Sequence, residues 1–200
     1  MRDINVIGLT GGYATGKTFV ASLLKKKGCA IISADKIGHG IIKPKTEVWK
    51  RIVNKFGKEI LRRDGSVNRS KLSVIVFSDM GKIAVLNRIT HPVIKKEIRK
   101  KISEAKAKNN VTAIVVEVPL LFESKMDKWF QKIIVVECDN VTQIKRAKKR
   151  SNISEEEILC RIKNQIPLEE KVKKADFVVD NNMPRKLVEK QVDDIMKMLK

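Results

Sequence analysis

The sequence has few of the residues on which several classes of protein depend. It contains three cysteines, two histidines and 4% aromatic residues in a chain of 200 residues. Three scattered cysteines supply neither a disulfide framework nor a C-x-x-C site, and with only two histidines beside them a zinc centre is not expected. The scarcity of aromatic residues also argues against a surface on which nucleic-acid bases stack.

Long hydrophobic runs are lacking as well. The longest, such as residues 113–116 and 133–136, are far shorter than the roughly 20 residues that span a bilayer. The first residues include an early acid, Asp3, and no small-residue cleavage site, which argues against a secretory signal. We therefore expect a cytoplasmic protein without a membrane partner.

Acidic residues are scarce relative to basic ones, 23 against 43, which gives a formal net charge of +20. Such an excess predicts an acidic partner: nucleic acid, an anionic membrane surface or a phosphate-rich small molecule. Apolar residues make up 42% of the chain, which is ordinary for a protein with a buried core. The length fits one compact unit with a small inserted subdomain.

Short apolar runs rich in β-branched residues predict strands that are buried on both faces, as in a parallel sheet. Amphipathic stretches lie between them, and this alternation predicts a doubly wound α/β sheet with crossover helices. In the long helical stretch 83–102, Pro92 predicts a break or bend. The five apolar runs are residues 6–10, 29–33, 112–118, 133–138 and 177–179.

Two stretches interrupt this alternation. From residue 35 to about residue 110 the pattern is helical and longer than a crossover helix needs, so we predict an inserted helical subdomain over 38–89. The second interruption, 141–164, is dense in Lys and Arg.

The first predicted strand leads into a G-x-x-x-x-G-K-[ST] motif, and a helical pattern follows it. Glycines let the backbone wrap around phosphates, and the following helix directs its positive end toward the same anion. Lys17 would supply charge to the β- and γ-phosphates, and the Thr18 hydroxyl is placed to bind Mg²⁺. The strand–loop–helix context favours a phosphate site over a chance glycine-rich turn. The motif, called the phosphate loop below, consists of Gly11, Gly12, Tyr13, Ala14, Thr15, Gly16, Lys17 and Thr18.

Other candidate residues each allow a functional and a purely structural interpretation. Asp35 follows the second strand, where it could accept the proton of an attacking hydroxyl, hold metal through water or cap a helix. Arg146 and Arg150 are four residues apart and form either a face that neutralises a triphosphate or a solvated basic face. Glu117 ends an apolar run, as a metal-binding strand-end acid does, although charges are common at strand ends.

Beyond the phosphate loop, an ordered set of motifs resembles the dephospho-CoA kinase family, P-loop kinases that phosphorylate the ribose 3′-hydroxyl in the last step of coenzyme A synthesis. The resemblance runs nearly from end to end. Its markers are Ala34-Asp35, Phe56-Gly57, Asp64-Gly65, Arg69, His91-Pro92, Pro119-Leu120-Leu121-Phe122-Glu123, Gln143-Ile144-Lys145-Arg146, Arg161-Ile162-Lys163-Asn164-Gln165 and Asp180-Asn181-Asn182.

The resemblance implies a P-loop NTPase-type three-layer α/β fold with a five-stranded parallel sheet. It also implies that 38–89 binds the acceptor and that 141–164 is a mobile, Arg-rich lid. The implied reaction uses ATP with Mg²⁺ and transfers a phosphoryl group to dephospho-CoA, with no nucleic-acid partner.

The same resemblance implies roles for particular residues. Asp35 becomes the base or orienting group at the acceptor hydroxyl. Lys17 and Arg146 offset charge on the transferred group, and Arg150 becomes a further lid group on the ATP phosphates. Asn181 lies where this kind of kinase contacts adenine.

The chain departs from the family in the phosphate loop, which is usually Gly-Gly-Ile-Gly-Ser-Gly-Lys-Ser. Tyr13, Ala14, Thr15 and Thr18 replace four of those residues. Ala14 must adopt a backbone conformation that is usually given to glycine. Ser33 replaces the first acid of a common Asp-Ala-Asp sequence, whereas the second acid is kept.

Two other functions stay open at this point. Another small P-loop kinase would act on a nucleoside, a nucleotide or a shikimate-like acceptor, and the loosely patterned insert would decide between them. A P-loop protein that binds nucleic acid is suggested by the charge of +20. Salt-sensitive retention of RNA or DNA at physiological ionic strength would support that second function.

Overall fold

The computed structural model describes residues 4–77, 79–150 and 154–199. The chain divides into two units, each with its own interior. The first unit combines Met1–Ser33 with Ile102–Lys200, and the second is Ala34–Lys101. The predicted helical insert, 38–89, therefore falls within the second unit.

The first unit is built on a five-stranded sheet in the order β2-β3-β1-β4-β5, in which every pairing is parallel. The central strand β1 pairs with β3 on one side and β4 on the other. Each strand agrees with a predicted apolar run to within two residues at either end, so the predicted parallel sheet is confirmed. The strands are β1 (Val6–Gly11), β2 (Ala30–Ser33), β3 (Ile114–Glu117), β4 (Lys132–Glu137) and β5 (Phe177–Asp180).

Helices connect the strands, and most of the second unit is helical. One of them, α5, continues through Pro92, so the helix is not broken there, whereas a bend at this residue stays a prediction. Proline removes a single N–H from the ladder, and the remaining hydrogen bonds of this 29-residue helix support its course. The helices are α1 (Lys17–Lys26), α2 (Ala34–Ile41), α3 (Glu47–Phe56), α4 (Arg69–Phe77), α5 (Met80–Lys108), α6 (Asn140–Arg150), α7 (Glu155–Lys163), α8 (Leu168–Lys173) and α9 (Arg185–Met198).

In the described ranges of the chain, no helix has both the length and the apolar character needed to cross a membrane. The amphipathic helices instead bury one face, as α9 does with Val188, Val192 and Ile195.

The core of the first unit lies between the sheet and its covering helices. Ile7 and Leu9 of β1 are fully buried, and they belong to one cluster with Leu24 of α1 and Val192 of α9. Gly8 lies between them, and a Cβ atom there would come within 2.7 Å of the Leu121 side chain. Burial on both faces explains why these strands are apolar at successive positions.

The second unit has a separate apolar core. Val48, Ile52 and Phe56 form the buried stripe of α3 and pack in a cluster with Leu72 of α4 and Ile89 of α5. The helix starts at a side-chain cap, since the Thr46 hydroxyl accepts the N–H of Trp49 at 3.1 Å. The insert thus stabilises itself with its own apolar contacts.

Candidate active site

The phosphate loop connects the central strand β1 to α1, as the motif predicts. Gly16 is the N-cap residue of α1, with a left-handed φ of 97°. The Lys17 ammonium donates to the Gly12 carbonyl at 2.6 Å, so its charge lies over the loop. The positive end of α1 and the Lys17 charge therefore meet at the same loop, which is the arrangement that binds phosphates.

The Thr18 hydroxyl lies beside a carboxylate of the neighbouring strand. It donates a hydrogen bond to Oε1 of Glu117, the last residue of β3, at 3.1 Å. Thr18 is exposed and Glu117 is half-buried, so both oxygens are close to solvent. A hydroxyl and a carboxylate side by side are hard oxygen ligands of the type that Mg²⁺ prefers.

The back of the phosphate loop is held by residues from the far end of the chain. The Asn181 amide donates to the Thr15 carbonyl at 2.7 Å, and Arg146 Nη1 donates to the same carbonyl at 3.2 Å. Arg146 Nη2 donates to the Asn181 carbonyl at 2.8 Å. Both side chains were predicted to bind nucleotide, and that stays a prediction. The structure shows that they fix the loop backbone, a role that the sequence pattern did not reveal.

Both the backbone conformation at position 16 and the neighbouring Asn181 side chain require a glycine there. A Cβ atom there would lie 2.1 Å from Asn181 Nδ2, and its φ of 97° is strained for any L side chain. We expect Gly16→Ala to lower the free energy of unfolding by about 3 kcal/mol, through strain and loss of the buried hydrogen bond to Thr15. ATP affinity should fall at least about tenfold, because the loop amides no longer converge on the phosphates.

The measurement is urea unfolding together with calorimetric ATP titration. Gly40→Ala is the matched control, since a Cβ at Gly40 in α2 would meet no atom within 4 Å. That change should be neutral or stabilising, because alanine favours a helix over glycine. Native-like stability and ATP affinity of Gly16→Ala would contradict the tight packing described here.

Two departures from the family loop have visible consequences. Ala14 adopts φ 56°, the left-handed conformation predicted for this position. The Tyr13 ring lies next to two arginines: the guanidinium carbons of Arg150 and Arg161 are 5.6 and 5.7 Å from its centroid. Arg161 was not among the predicted site residues, and its signal in the sequence was its place in the marker Arg161-Ile162-Lys163-Asn164-Gln165.

Two titratable groups at the carboxyl edge of the sheet have shifted pKa values. Burial, and then the charge of Asp180 opposite it in the sheet, raises the pKa of Glu137. Burial raises the pKa of the Cys138 thiol to about 11, although the nearby Arg146 acts in the opposite direction. Cys138 therefore stays a protonated thiol at neutral pH and offers no nucleophile beside the loop.

The second unit contains a small polar cluster on α2 and α4. Asp35 lies in the first turn of α2, His39 lies one turn further along, and Arg69 contacts the His39 ring through Nη1 and Nε2. Burial and the Arg69 charge lower the pKa of His39, against the opposing influence of Asp35. A neutral imidazole can accept the Arg69 hydrogen bond, so Arg69 keeps further N–H groups for a ligand.

With this geometry in place, the chain can be compared with known proteins. A sequence model of the family described as dephospho-CoA kinase matches residues 5–186. The chain belongs to the dephospho-CoA kinase family. A dephospho-CoA kinase from Carboxydothermus hydrogenoformans is 46% identical over 182 residues, which cover 91% of this chain and 88% of that protein. One from Arabidopsis thaliana is 43% identical over 179 residues, which cover 90% of this chain and 77% of that protein.

Solved structures agree with membership of the dephospho-CoA kinase family. The protein TT1252 from Thermus thermophilus superimposes with a TM-score of 0.83 at 26% identity, over 98% of both chains. A dephospho-CoA kinase from Campylobacter jejuni gives a TM-score of 0.70 at 29% identity, over 98% of this chain and 96% of its own. The P-loop kinase fold expected from the sequence is confirmed.

Proposed function

We propose that the protein transfers the γ-phosphoryl group of ATP to the ribose 3′-hydroxyl of dephospho-CoA. The observation that carries this proposal is the family match over residues 5–186, which includes the phosphate loop, the helical insert and the lid region. The other P-loop kinases considered above share the loop but not this end-to-end match. A cytoplasmic location stays a prediction.

In this proposal the phosphate loop binds the triphosphate through its backbone amides and Lys17. Transfer of a phosphoryl group needs little covalent chemistry from the protein, so positioning and charge stabilisation supply most of the catalysis. Lys17 and Arg146 would offset charge on the transferred group. The contacts of Arg146 and Asn181 with the Thr15 carbonyl support this role, because they fix the loop before ATP arrives.

The residues beside the loop fit a magnesium ion. Thr18 and Glu117 would hold it, and their hydrogen-bonded oxygens match its ligand preference. When bound, Mg²⁺ neutralises charge on the phosphates. In the described residues, no group of three His, Cys, Asp or Glu side chains is arranged to hold a metal. Phosphate oxygens and water would therefore complete the coordination.

The acceptor is assigned to the second unit. Asp35 follows β2 by two residues in the chain, and α/β proteins bind ligands at the carboxyl ends of their strands. We propose that its carboxylate orients the 3′-hydroxyl and accepts its proton. Arg69 offers positive charge to the pyrophosphate of the acceptor.

The test is an ATP assay in which the acceptor is varied. We expect ADP to form rapidly with dephospho-CoA and the product to be coenzyme A, identified by mass. Shikimate, nucleosides and nucleoside monophosphates should give at most about 1% of that rate, because an enzyme uses contacts with remote parts of its substrate to lower the barrier. Turnover with one of these acceptors and none with dephospho-CoA would refute the assignment.

A further inference from the structure

The phosphate loop carries one side chain whose contacts are not explained by the proposed mechanism. Tyr13 occupies a position at which the family usually has isoleucine. Its hydroxyl accepts a hydrogen bond from Arg161 Nη1 at 3.2 Å. Its ring also lies 5.6 Å from the guanidinium carbon of Arg150 and 5.7 Å from that of Arg161. A single loop residue thus contacts one arginine of α6 and one of α7.

The arginines around the loop differ in how their N–H donors are used. Arg146 directs two donors at the carbonyls of Thr15 and Asn181. Arg161 directs one at the Tyr13 hydroxyl and one at Glu157, 2.7 Å away. A cation–π contact uses no N–H donor, so the ring contact leaves the donors of Arg150 available to an anion.

A chain of contacts fixes the orientation of the ring. Glu157 pairs with Arg161 four residues later on α7, and Arg161 in turn binds the Tyr13 hydroxyl. The ring face then attracts the Arg150 guanidinium, which is exposed and would otherwise sample many rotamers. The neighbouring guanidiniums of Arg150 and Arg161 repel each other. The electron-rich Tyr13 ring and the Glu157 carboxylate lower the free-energy cost of bringing both guanidiniums to the loop.

We propose that Tyr13 is a positioning residue that holds the Arg150 guanidinium beside the phosphate loop, where its N–H donors bind the triphosphate of ATP. This inference rests on the proposed ATP-binding function but not on the identity of the acceptor. Orienting Arg150 before ATP binds lowers the entropy lost on binding, which is the general benefit of preorganisation.

The test measures equilibrium binding of ATP and AMP by titration calorimetry, without acceptor. Tyr13→Ile, which introduces the usual family side chain, removes both the ring and the hydroxyl. We expect it to weaken ATP binding about fivefold. Tyr13→Phe keeps the ring and loses only the Arg161 hydrogen bond, so we expect it to weaken ATP binding about twofold. AMP binding should change by less than about twofold, because AMP lacks the β- and γ-phosphates that Arg150 would contact.

Double variants separate positioning from a structural role. Arg150→Gln should weaken ATP binding about tenfold, and adding Tyr13→Ile should then have no further effect. Arg185→Gln is the control, since it removes a guanidinium from a different ring, that of Phe19 at 5.5 Å, and should leave ATP binding unchanged.

Two results would overturn the proposal. The first is that Tyr13→Ile binds ATP as tightly as, or more tightly than, the unaltered protein. The second is that the effects of Tyr13→Ile and Arg150→Gln multiply. If Tyr13→Ile does not fold, as judged by circular dichroism, an unchanged ATP affinity of Tyr13→Phe is the contradicting result. Because no acceptor is present, these outcomes are independent of the acceptor assay.

Discussion

Asp35→Asn is expected to lower kcat with dephospho-CoA by about 10²- to 10⁴-fold, the range typical for loss of a general base. The asparagine side chain has nearly the same size and can still accept a hydrogen bond, but it cannot take the proton of the 3′-hydroxyl. ATP affinity should stay within about twofold, because the proposed ATP contacts come from the phosphate loop and the lid.

Three measurements decide between roles for Asp35: kcat with acceptor, ATP affinity by calorimetry, and slow ATP hydrolysis without acceptor. The hydrolysis rate should be unchanged, because it does not involve the 3′-hydroxyl. Asp64→Asn is the matched control, since that carboxylate is exposed and serves a turn, accepting the N–H of Ser66 at 2.9 Å. Near-native kcat of Asp35→Asn would rule out the base role.

The sheet could be predicted because its strands are buried on both faces. Ile114, Val115 and Val116 are consecutive and fully buried, so a continuous apolar run marks the strand. The phosphate loop could be predicted for a related reason, since the residues of its motif are adjacent in the chain. Both signals are local, and a local signal is readable from one sequence.

Long-range contacts gave no such signal. The Thr15 carbonyl is bound by Asn181, 166 residues away, and no spacing rule links the two. The resemblance to the family suggested a nucleotide-binding role for Asn181, but not its contact with the loop backbone. Lys171 was missed entirely, because one lysine among 43 basic residues looks like a solvated side chain.

Lys171 is in fact fully buried. Its substitution is the second change for which we expect a large effect, in this case on the free energy of unfolding. Its ammonium lies 2.8 Å from Oε1 of Glu123, whose side chain is only 19% exposed. The same oxygen accepts the N–H of Ile166 at 3.0 Å, and Gln165 lies 3.5 Å from the ammonium. The ion pair thus joins the segment after β3 to α8, and the Ile166 contact joins it to the turn between α7 and α8.

Lys171→Met should lower the free energy of unfolding by about 3 kcal/mol, because it leaves a largely buried carboxylate without its cation. Glu123→Gln should cost at least as much at neutral pH, since the ammonium it strands is fully buried. In Glu123→Leu/Lys171→Met both charges are absent, so the double variant should be more stable than either single charge-removing variant. Urea unfolding of the variants gives these differences.

Lys173→Met is the control for these variants, because that lysine pairs with Glu170 on the surface. Its loss should leave the free energy of unfolding nearly unchanged, since exposed ion pairs contribute little. If Lys171→Met and Lys173→Met lowered the free energy of unfolding equally, the pair of Lys171 with Glu123 would behave as a surface contact and not as a buried ion pair.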